Sequence, residues 1–314
     1  MRPILVLLCV LAFAFRGPDR PAYRLYTQNL KSTTYAKLLR QATEADVVFF
    51  GELHNDPICH WLELQLTKDL QAAKKGNLVL GAEMFESDNQ TALSDYVQGK
   101  TTAKELATQA RLWPNFTTDY KPIADFAREQ HIPFIATNVP RRYARLVSRQ
   151  GLSALDTISA EAKRQVAPLP LTVDLTLPGY KAMMDMMSSP APSSSTTTSG
   201  TSTSTTANLH GTTSDMTANF ARAQAIKDAT MAYFIQQNLK PGQTLLHFNG
   251  DYHSKNFEGI VWYLRQQQST GATRPLKILT LSSVEVSDID NPASENRNLA
   301  DFVLAIPTDM TKTY

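Results

Sequence analysis

The sequence is poor in cysteine. Its 314 residues contain two, Cys9 and Cys59, and Cys9 falls in an N-terminal segment that we expect to be removed. The mature chain then keeps a single thiol and cannot form an internal disulfide. A lone cysteine of this kind is either a reactive thiol or metal ligand or, more commonly, a small buried side chain.

The sequence also lacks an excess of charge of either sign. It has 31 basic and 29 acidic residues, which give a formal net charge of +2. This balance predicts no nucleic-acid partner. Hydrophobic residues make up 42% of the chain, enough for the core of a globular protein.

Long apolar runs are absent as well. The apolar run Ile4–Phe13 is too short to span a bilayer as a stable helix. Arg2 before it and Ala12-Phe13-Ala14 at its end predict a secretory signal peptide over residues 1–14, with an uncleaved anchor as the alternative. We therefore expect an exported protein, periplasmic or extracellular, that associates with membranes at most peripherally.

Short apolar runs alternate with helical periodicity, which predicts a single α/β domain over residues 23–314 with a mostly parallel sheet flanked by helices. Residues 188–213 are almost all serine, threonine, glycine and proline, a composition that predicts a disordered loop. Helical segments around that loop, including one over 153–166, predict a helical insertion or cap at about 153–240. The predicted strands are 47–50, 78–82, 132–137, 244–249, 277–282 and 302–306.

Two stretches share one pattern, an apolar run that ends in glycine with a histidine three residues later. The first, Val47–Asp56, reads V-V-F-F-G-E-L-H-N-D, and the second, Leu245–His253, reads L-L-H-F-N-G-D-Y-H. Ligands of open α/β sheets bind outside the carboxyl ends of the strands. The paired motif therefore predicts one shared rim, formed by Glu52, His54, Asp251 and His253.

Other strand ends add Glu83 and Asn138 to this rim, with Arg141 behind Asn138. Imidazole and carboxylate groups suit a divalent metal ion, and a spare glutamate could act as general base on a metal-bound water. Structural alternatives remain open. Asp56 is also a helix cap, the glutamates could hold loop amides, and Arg141 and its neighbour could be solvated rather than bind an anion.

A methionine cluster precedes the Ser/Thr-rich tract, at positions 183, 184, 186 and 187. Thioether sulfur is a soft metal or haem ligand, but methionine is also a common filler of loose apolar surfaces. His210 and Met216 follow the tract as further candidate ligands. No C-x-x-C-H motif is present, which excludes covalent attachment of c-type haem.

Beyond the paired motif, the chain contains V-L-G-A-E-M-F, I-A-T-N-V-P-R-R and A-Q-A-I-K-D-A-T-M-A. Together these segments resemble the ChaN-like haem-binding uptake proteins, which share a superfamily with Tiki, TraB and erythromycin-esterase-like proteins. The resemblance covers about Asp46–Tyr263. It departs from the family in one respect, because many ChaN-like proteins are lipoproteins and Cys9 here follows two leucines rather than a small residue.

The resemblance implies an α/β fold with a smaller helical part, and for ChaN a haem that is held between the subunits of a homodimer and linked to iron acquisition. It implies haem or another iron-containing small ligand as the partner. The candidate haem-binding residues are Tyr180, His210, Asn138 and Arg141.

For the Tiki and TraB branch the resemblance implies a different activity, that of a metal-dependent hydrolase or protease. The metal, such as Mn, Co or Zn, would be held by His54, His253 and Glu83, and the catalytic carboxylates would be Glu52 and Glu83. The motif alone does not decide between haem binding and hydrolysis, so hydrolysis remains the alternative to haem binding. A family member that has kept the fold and lost both activities is a third possibility.

Overall fold

The computed structural model describes residues 19–188, 209–268 and 275–314. The predicted signal peptide and the larger part of the Ser/Thr-rich tract, 189–208, lie outside the described residues. None of the described helices is both long and apolar enough to cross a membrane.

The described residues contain an eight-stranded sheet with the strand order β2-β1-β8-β7-β3-β6-β4-β5. Only the pairs that β1 makes with β2 and β8 are antiparallel, whereas the other pairs are parallel. The predicted α/β class with a mostly parallel sheet is therefore confirmed. The strands are β1 (Arg24–Thr27), β2 (Ser32–Thr33), β3 (Val47–Glu52), β4 (Leu78–Glu86), β5 (Phe134–Asn138), β6 (Thr244–Gly250), β7 (Ile278–Val286) and β8 (Phe302–Pro307).

Helices cover both faces of the sheet, which explains why the central strands read as continuous apolar runs. Along β3, Val48 and Phe50 pack on one face, and Val47 and Phe49 pack on the other. The described helices are α1 (Tyr35–Glu44), α2 (Pro57–Lys74), α3 (Gln90–Val97), α4 (Ala103–Gln109), α5 (Lys121–Glu129), α6 (Arg141–Gln150), α7 (Ala160–Lys163), α8 (Pro178–Ser188), α9 (Leu209–Asn238) and α10 (Ile260–Gln268).

The continuous helix predicted over 153–166 is wrong. A 3₁₀ segment, Leu152–Thr157, is followed by Ile158 and Ser159 in extended conformation, and only then by the short α7. The Ser159 side chain accepts a hydrogen bond from the N–H of Ala162, so it caps a new helix instead of continuing an old one. The helix α9 also begins earlier than predicted, at Leu209 rather than at 215.

The start of α2 follows the predicted chemistry. The Asp56 side chain accepts hydrogen bonds from the N–H groups of Ile58 and Cys59, at 2.9 and 3.3 Å, and Pro57 occupies the first turn. Cys59 is fully buried, and burial raises the pKa of its thiol well above the ordinary value. The small-buried-side-chain interpretation of Cys59 therefore fits the structure better than that of a reactive thiol.

Candidate functional site

The paired motifs lie side by side at the carboxyl edge of the sheet. In the parallel pair of β3 and β6, Gly51 is in register with Asn249, and Glu52 with Gly250. On the other side of β6, the backbone N–H of Gly250 donates a 2.9 Å hydrogen bond to Oε2 of Glu83, three residues before the end of β4. The structure thus brings the ends of three strands together, as the sheet topology predicts.

His253 lies at the buried end of this rim, between two carboxylates. Its Nδ1 is 2.5 Å from Oδ1 of Asp228, and its Nε2 is 3.2 Å from Oε1 of Glu83. Burial opposes protonation of His253, but the charges of Glu83 and Asp228 outweigh it and raise the pKa of the imidazole to about 10. His253 is therefore an imidazolium at neutral pH, with both ring nitrogens engaged.

Asp228 was not identified from the sequence. It lies on α9, directly after Lys227, and its side chain is buried. The hydroxyl of Tyr180, on α8, donates a 2.6 Å hydrogen bond to Oδ2 of Asp228. Asp228 is part of the segment A-Q-A-I-K-D-A-T-M-A that carries the family resemblance, but its contact with a histidine 25 residues away could not be predicted from the sequence.

His54 lies at the open end of the rim. Its side chain keeps 36% of its accessible surface, and its Nδ1 is 2.6 Å from Oε1 of Glu52. The ring makes an edge contact with Trp113, with centroids 4.9 Å apart. Among the described residues the Nε2 atom of His54 has no hydrogen-bond partner and is therefore available to a ligand. The contact of Nδ1 with Glu52 fixes the orientation of the ring.

Gly250 lets the His54 ring occupy this position. A β-carbon on Gly250 would lie 2.6 Å from Nε2 and 2.7 Å from Cε1 of His54, closer than real side chains pack. The same glycine links His54 to the Glu83 carboxylate, whose charge acts on the imidazole. Burial opposes protonation of His54, but Glu52 and Glu83 together raise its pKa above the ordinary value.

The buried carboxylate of Glu52 organises this half of the rim. The Tyr120 hydroxyl donates a 2.7 Å hydrogen bond to the same Oε1 atom that His54 contacts. Burial raises the pKa of Glu52, but hydrogen bonds from His54 and Glu63 outweigh burial and lower it overall. Tyr120 was missed in the sequence because nothing in its helical surroundings marks it as facing a strand end 68 residues earlier.

The predicted metal ligands His54, Glu83 and His253 share the rim but do not form a compact ligand set. In the part of the chain that the structure describes, one group of three has ligand atoms all within 4.8 Å of one another, and its members are Glu52, His60 and Glu63. Both nitrogens of His253 already face carboxylates, so binding a metal there would require the loss of a proton. A metal held by the predicted set stays a prediction.

Three of the predicted haem-binding residues have described side chains. Tyr180 is buried, and its hydroxyl is bonded to Asp228. Asn138 donates from Nδ2 to the carbonyl oxygen of Glu83, at 2.9 Å. Arg141 donates from its backbone N–H to Glu86, at 3.0 Å. His210 lies in the first turn of α9, at a position whose side chain is outside the described part.

Asp251, which the paired motif also placed at the rim, makes contacts that stabilise the sheet. Its Oδ1 accepts a 2.5 Å hydrogen bond from the Ser282 hydroxyl, and its Oδ2 is 3.5 Å from Nζ of Lys255. Burial raises the pKa of Asp251 to about 6, against the opposing effects of Lys255 and Ser282. Its contacts tie β6 to β7, which is a structural role.

A basic cleft of about 550 Å³ lies along α6, whose first residue, Arg141, donates from its backbone N–H to Glu86 at the end of β4. Arg141, Arg145 and Arg149 repeat at four-residue spacing along α6 and are exposed. Arg111 and Arg142 also line the cleft and form ion pairs with Asp88. The arrangement can bind a carboxylate or phosphate group.

Comparison with known proteins gives a family match over residues 38–264, to the haem-binding uptake proteins of the Tiki superfamily, ChaN. No curated protein sequence matches the chain.

Among solved structures, ChaN of Campylobacter jejuni with cofacially bound haem is similar over 90% of this chain and 96% of that chain, at 16% identity and a TM-score of 0.63. This likeness shows a shared fold. A mutant of the erythromycin esterase EreC in its open conformation is 10% identical, with 91% and 83% of the two chains covered and a TM-score of 0.45. The type III effector HopBA1 is 10% identical, with 86% and 91% covered and a TM-score of 0.43.

Proposed function

The chain belongs to the family of haem-binding uptake proteins of the Tiki superfamily, ChaN, and on that premise we propose that it binds haem at the strand-end rim. In this proposal His54 is the axial ligand of the haem iron. The protein is exported and contributes to the acquisition of iron.

The observation that carries the proposal is the environment of His54. Neutral imidazole is a frequent ligand of haem iron, and its second nitrogen is commonly hydrogen-bonded to a carboxylate that fixes the ring. Glu52 makes this contact to Nδ1 at 2.6 Å, while Nε2 has no partner among the described residues. His253 and Tyr180 lack a free ligand atom, because Glu83 and Asp228 already bind them.

The basic cleft supports the same proposal. Haem carries two propionate carboxylates, and exposed arginines match carboxylates in both charge and geometry. Arg145 and Arg149 have no ion-pair partner among the described residues, unlike Arg111 and Arg142. They are therefore free to bind the propionates, and we assign them that role.

Exposed methionines favour an assembly of two chains around the ligand. Met186 and Met187 on α8 and Met216 on α9 are 46–66% exposed, and α8 packs against α9. Adaptable apolar side chains of this kind are typical of surfaces that a partner or a flat apolar ligand covers. We propose that a second copy of the chain covers this surface when haem is bound.

Titration of the purified protein with haemin tests haem binding. We expect a shifted Soret band that saturates at a fixed ratio of haem to chain, and a His54→Ala variant that loses the shift. His131→Ala is the matched control, because His131 is an exposed histidine away from the rim, and it should bind haemin like the wild type. A wild-type chain without any shift would overturn the proposal.

Export and iron acquisition need separate experiments. Cell fractionation with N-terminal sequencing should find the mature chain outside the cytoplasm and beginning near residue 15. A strain without the protein should grow more slowly when haemin is the sole iron source and normally on ferric salts. Equal growth on both would contradict the role in iron acquisition without affecting haem binding.

A further inference from the structure

A buried polar cluster lies directly beneath His54. Glu52 at the end of β3 meets His60 and Glu63, which lie three residues apart on one face of α2. The three residues are 1%, 6% and 0% exposed. Two carboxylates and an imidazole that are this deeply buried require a compensating charge or a complete set of hydrogen bonds.

The hydrogen bonds within the cluster are incomplete. The Oε1 atom of Glu52 accepts from His54 and Tyr120, but its Oε2 has no partner among the described residues. Likewise, Glu63 keeps Oε1 without a partner. Without a metal, only a proton on Glu63 can supply a donor between these two oxygens, and burial together with the charge of Glu52 raises the pKa of Glu63 well above its ordinary value.

His60 presents a lone pair to the same space. Its Nε2 is 3.1 Å from the backbone carbonyl of His54, so this nitrogen carries the proton. The other nitrogen, Nδ1, faces Oε2 of Glu63 at 3.1 Å and Oε2 of Glu52 at 3.6 Å. A proton on Nδ1 would satisfy one of these atoms but would leave the remaining carboxylate oxygens without a donor.

We propose that Glu52, His60 and Glu63 bind one divalent transition-metal ion, such as Zn²⁺ or Mn²⁺. A cation satisfies all three facing groups at once. Ligands of a tetrahedral zinc lie about 3.4 Å apart, given metal–ligand distances of about 2.0–2.2 Å. The two distances from His60 Nδ1, 3.1 and 3.6 Å, lie on either side of this value.

The surrounding contacts are those of a supported metal site. The carbonyl of His54 orients the imidazole of His60, and the hydroxyl of Tyr120 orients the carboxylate of Glu52. This ion differs from the haem iron and from a metal held by Glu83 and His253. Through Glu52 it fixes the orientation of the His54 ring, so it supports the rim from below.

Equilibrium dialysis of the chelator-treated full chain against Zn²⁺ or Mn²⁺, followed by elemental analysis, tests the site. We expect one equivalent of metal per chain in the wild type. Glu63→Gln keeps the shape of the side chain but removes a charged ligand, and it should weaken metal binding by at least about tenfold. His60→Asn should do the same, whereas His131→Ala should bind like the wild type.

Two results would overturn the proposal. One is a wild-type chain that binds no metal, which would mean that shared protons alone satisfy the cluster. The other is a His253→Asn variant that loses the metal while Glu63→Gln keeps it, which would place the ion among the rim residues. If Glu63→Gln does not fold, the wild-type melting temperature still decides, because it must rise with added Zn²⁺ or Mn²⁺. Haemin titration of the same samples reports separately on haem binding.

Discussion

Glu83 and His253 form an ion pair across two adjacent strand ends, with Oε1 and Nε2 3.2 Å apart and both side chains buried. On its other side, His253 contacts Asp228, so the imidazolium is held between two carboxylates. The pair connects the second G-x-x-H motif to β4, and it gives the rim a definite protonation state at neutral pH.

This protonation state makes stability depend on pH. The pKa of His253 is raised to about 10, from an ordinary value near 6.5 in the unfolded chain. A raised pKa contributes stability that is complete below about pH 6.5, declines as the pH rises, and is lost above about pH 10. Urea denaturation gives the free energy of unfolding at pH 7 and at pH 10. The decrease between these two pH values should be smaller for His253→Asn than for the wild type, because the variant has no imidazolium to lose. Equal losses would contradict the assigned protonation state.

Tyr180 should contribute to stability but not to haem ligation. Its hydroxyl donates a 2.6 Å hydrogen bond to the buried carboxylate of Asp228, and loss of such a bond costs about 1–3 kcal/mol. Tyr180→Phe should therefore lower the free energy of unfolding by that amount while leaving the Soret band of the haemin complex unchanged. A changed band with unchanged stability would make Tyr180 a haem ligand, which is one of the candidates named from the sequence.

Gly250 should be required for the position of His54. In Gly250→Ala the new methyl group would collide with the His54 ring, at 2.6 Å from Nε2. Overpacking of this kind costs about 1–3 kcal/mol, and if that cost falls on the haem-binding position of His54 it weakens haemin binding about fivefold or more. The control is Gly76→Ala, where nothing lies within 4 Å of the added carbon and the strain is confined to a loop far from the rim. Wild-type haemin affinity in Gly250→Ala would contradict this role.

The arginines of α6 should recognise carboxylates on the ligand. Arg145→Ala or Arg149→Ala should weaken haemin binding about fivefold each, because each removes one charge-assisted hydrogen bond. Neither variant should change the affinity for the dimethyl ester of haem, which has no carboxylate. Arg24→Ala, at the far edge of the sheet, serves as the control. Equal weakening for haemin and its ester would indicate a general loss of structure.

The sheet could be predicted from the sequence where burial on both faces leaves a continuous apolar run. The run Val47–Phe50 is such a segment, and the structure extends it only by Gly51 and Glu52. The short β1, next to the edge strand β2, was missed because Arg24–Thr27 is buried at only two of four positions. The prediction of one helix over 153–166 was wrong because Ser159 caps the start of a new helix, which separates α7 from the preceding 3₁₀ segment.

Only the rim residues that belong to strand ends could be predicted from the sequence, and those contributed by helices could not. Glu52, His54 and His253 follow strands, and parallel strands bring their carboxyl ends to one edge whatever the rest of the chain does. Asp228 and Tyr120 come from helices, and their contacts depend on how those helices pack on the sheet. Periodicity shows which face of a helix is apolar, but it does not show which buried polar residue meets a given strand end.

The most direct test of haem ligation by His54 is chemical rescue of a His54→Gly variant. Removal of the imidazole should abolish the Soret shift of the wild-type haemin complex, and millimolar free imidazole should restore it by occupying the vacated space beside Glu52. The control His131→Gly should show the wild-type spectrum with or without imidazole. A His54→Gly variant that binds haemin with the wild-type spectrum and affinity in the absence of imidazole would contradict the account.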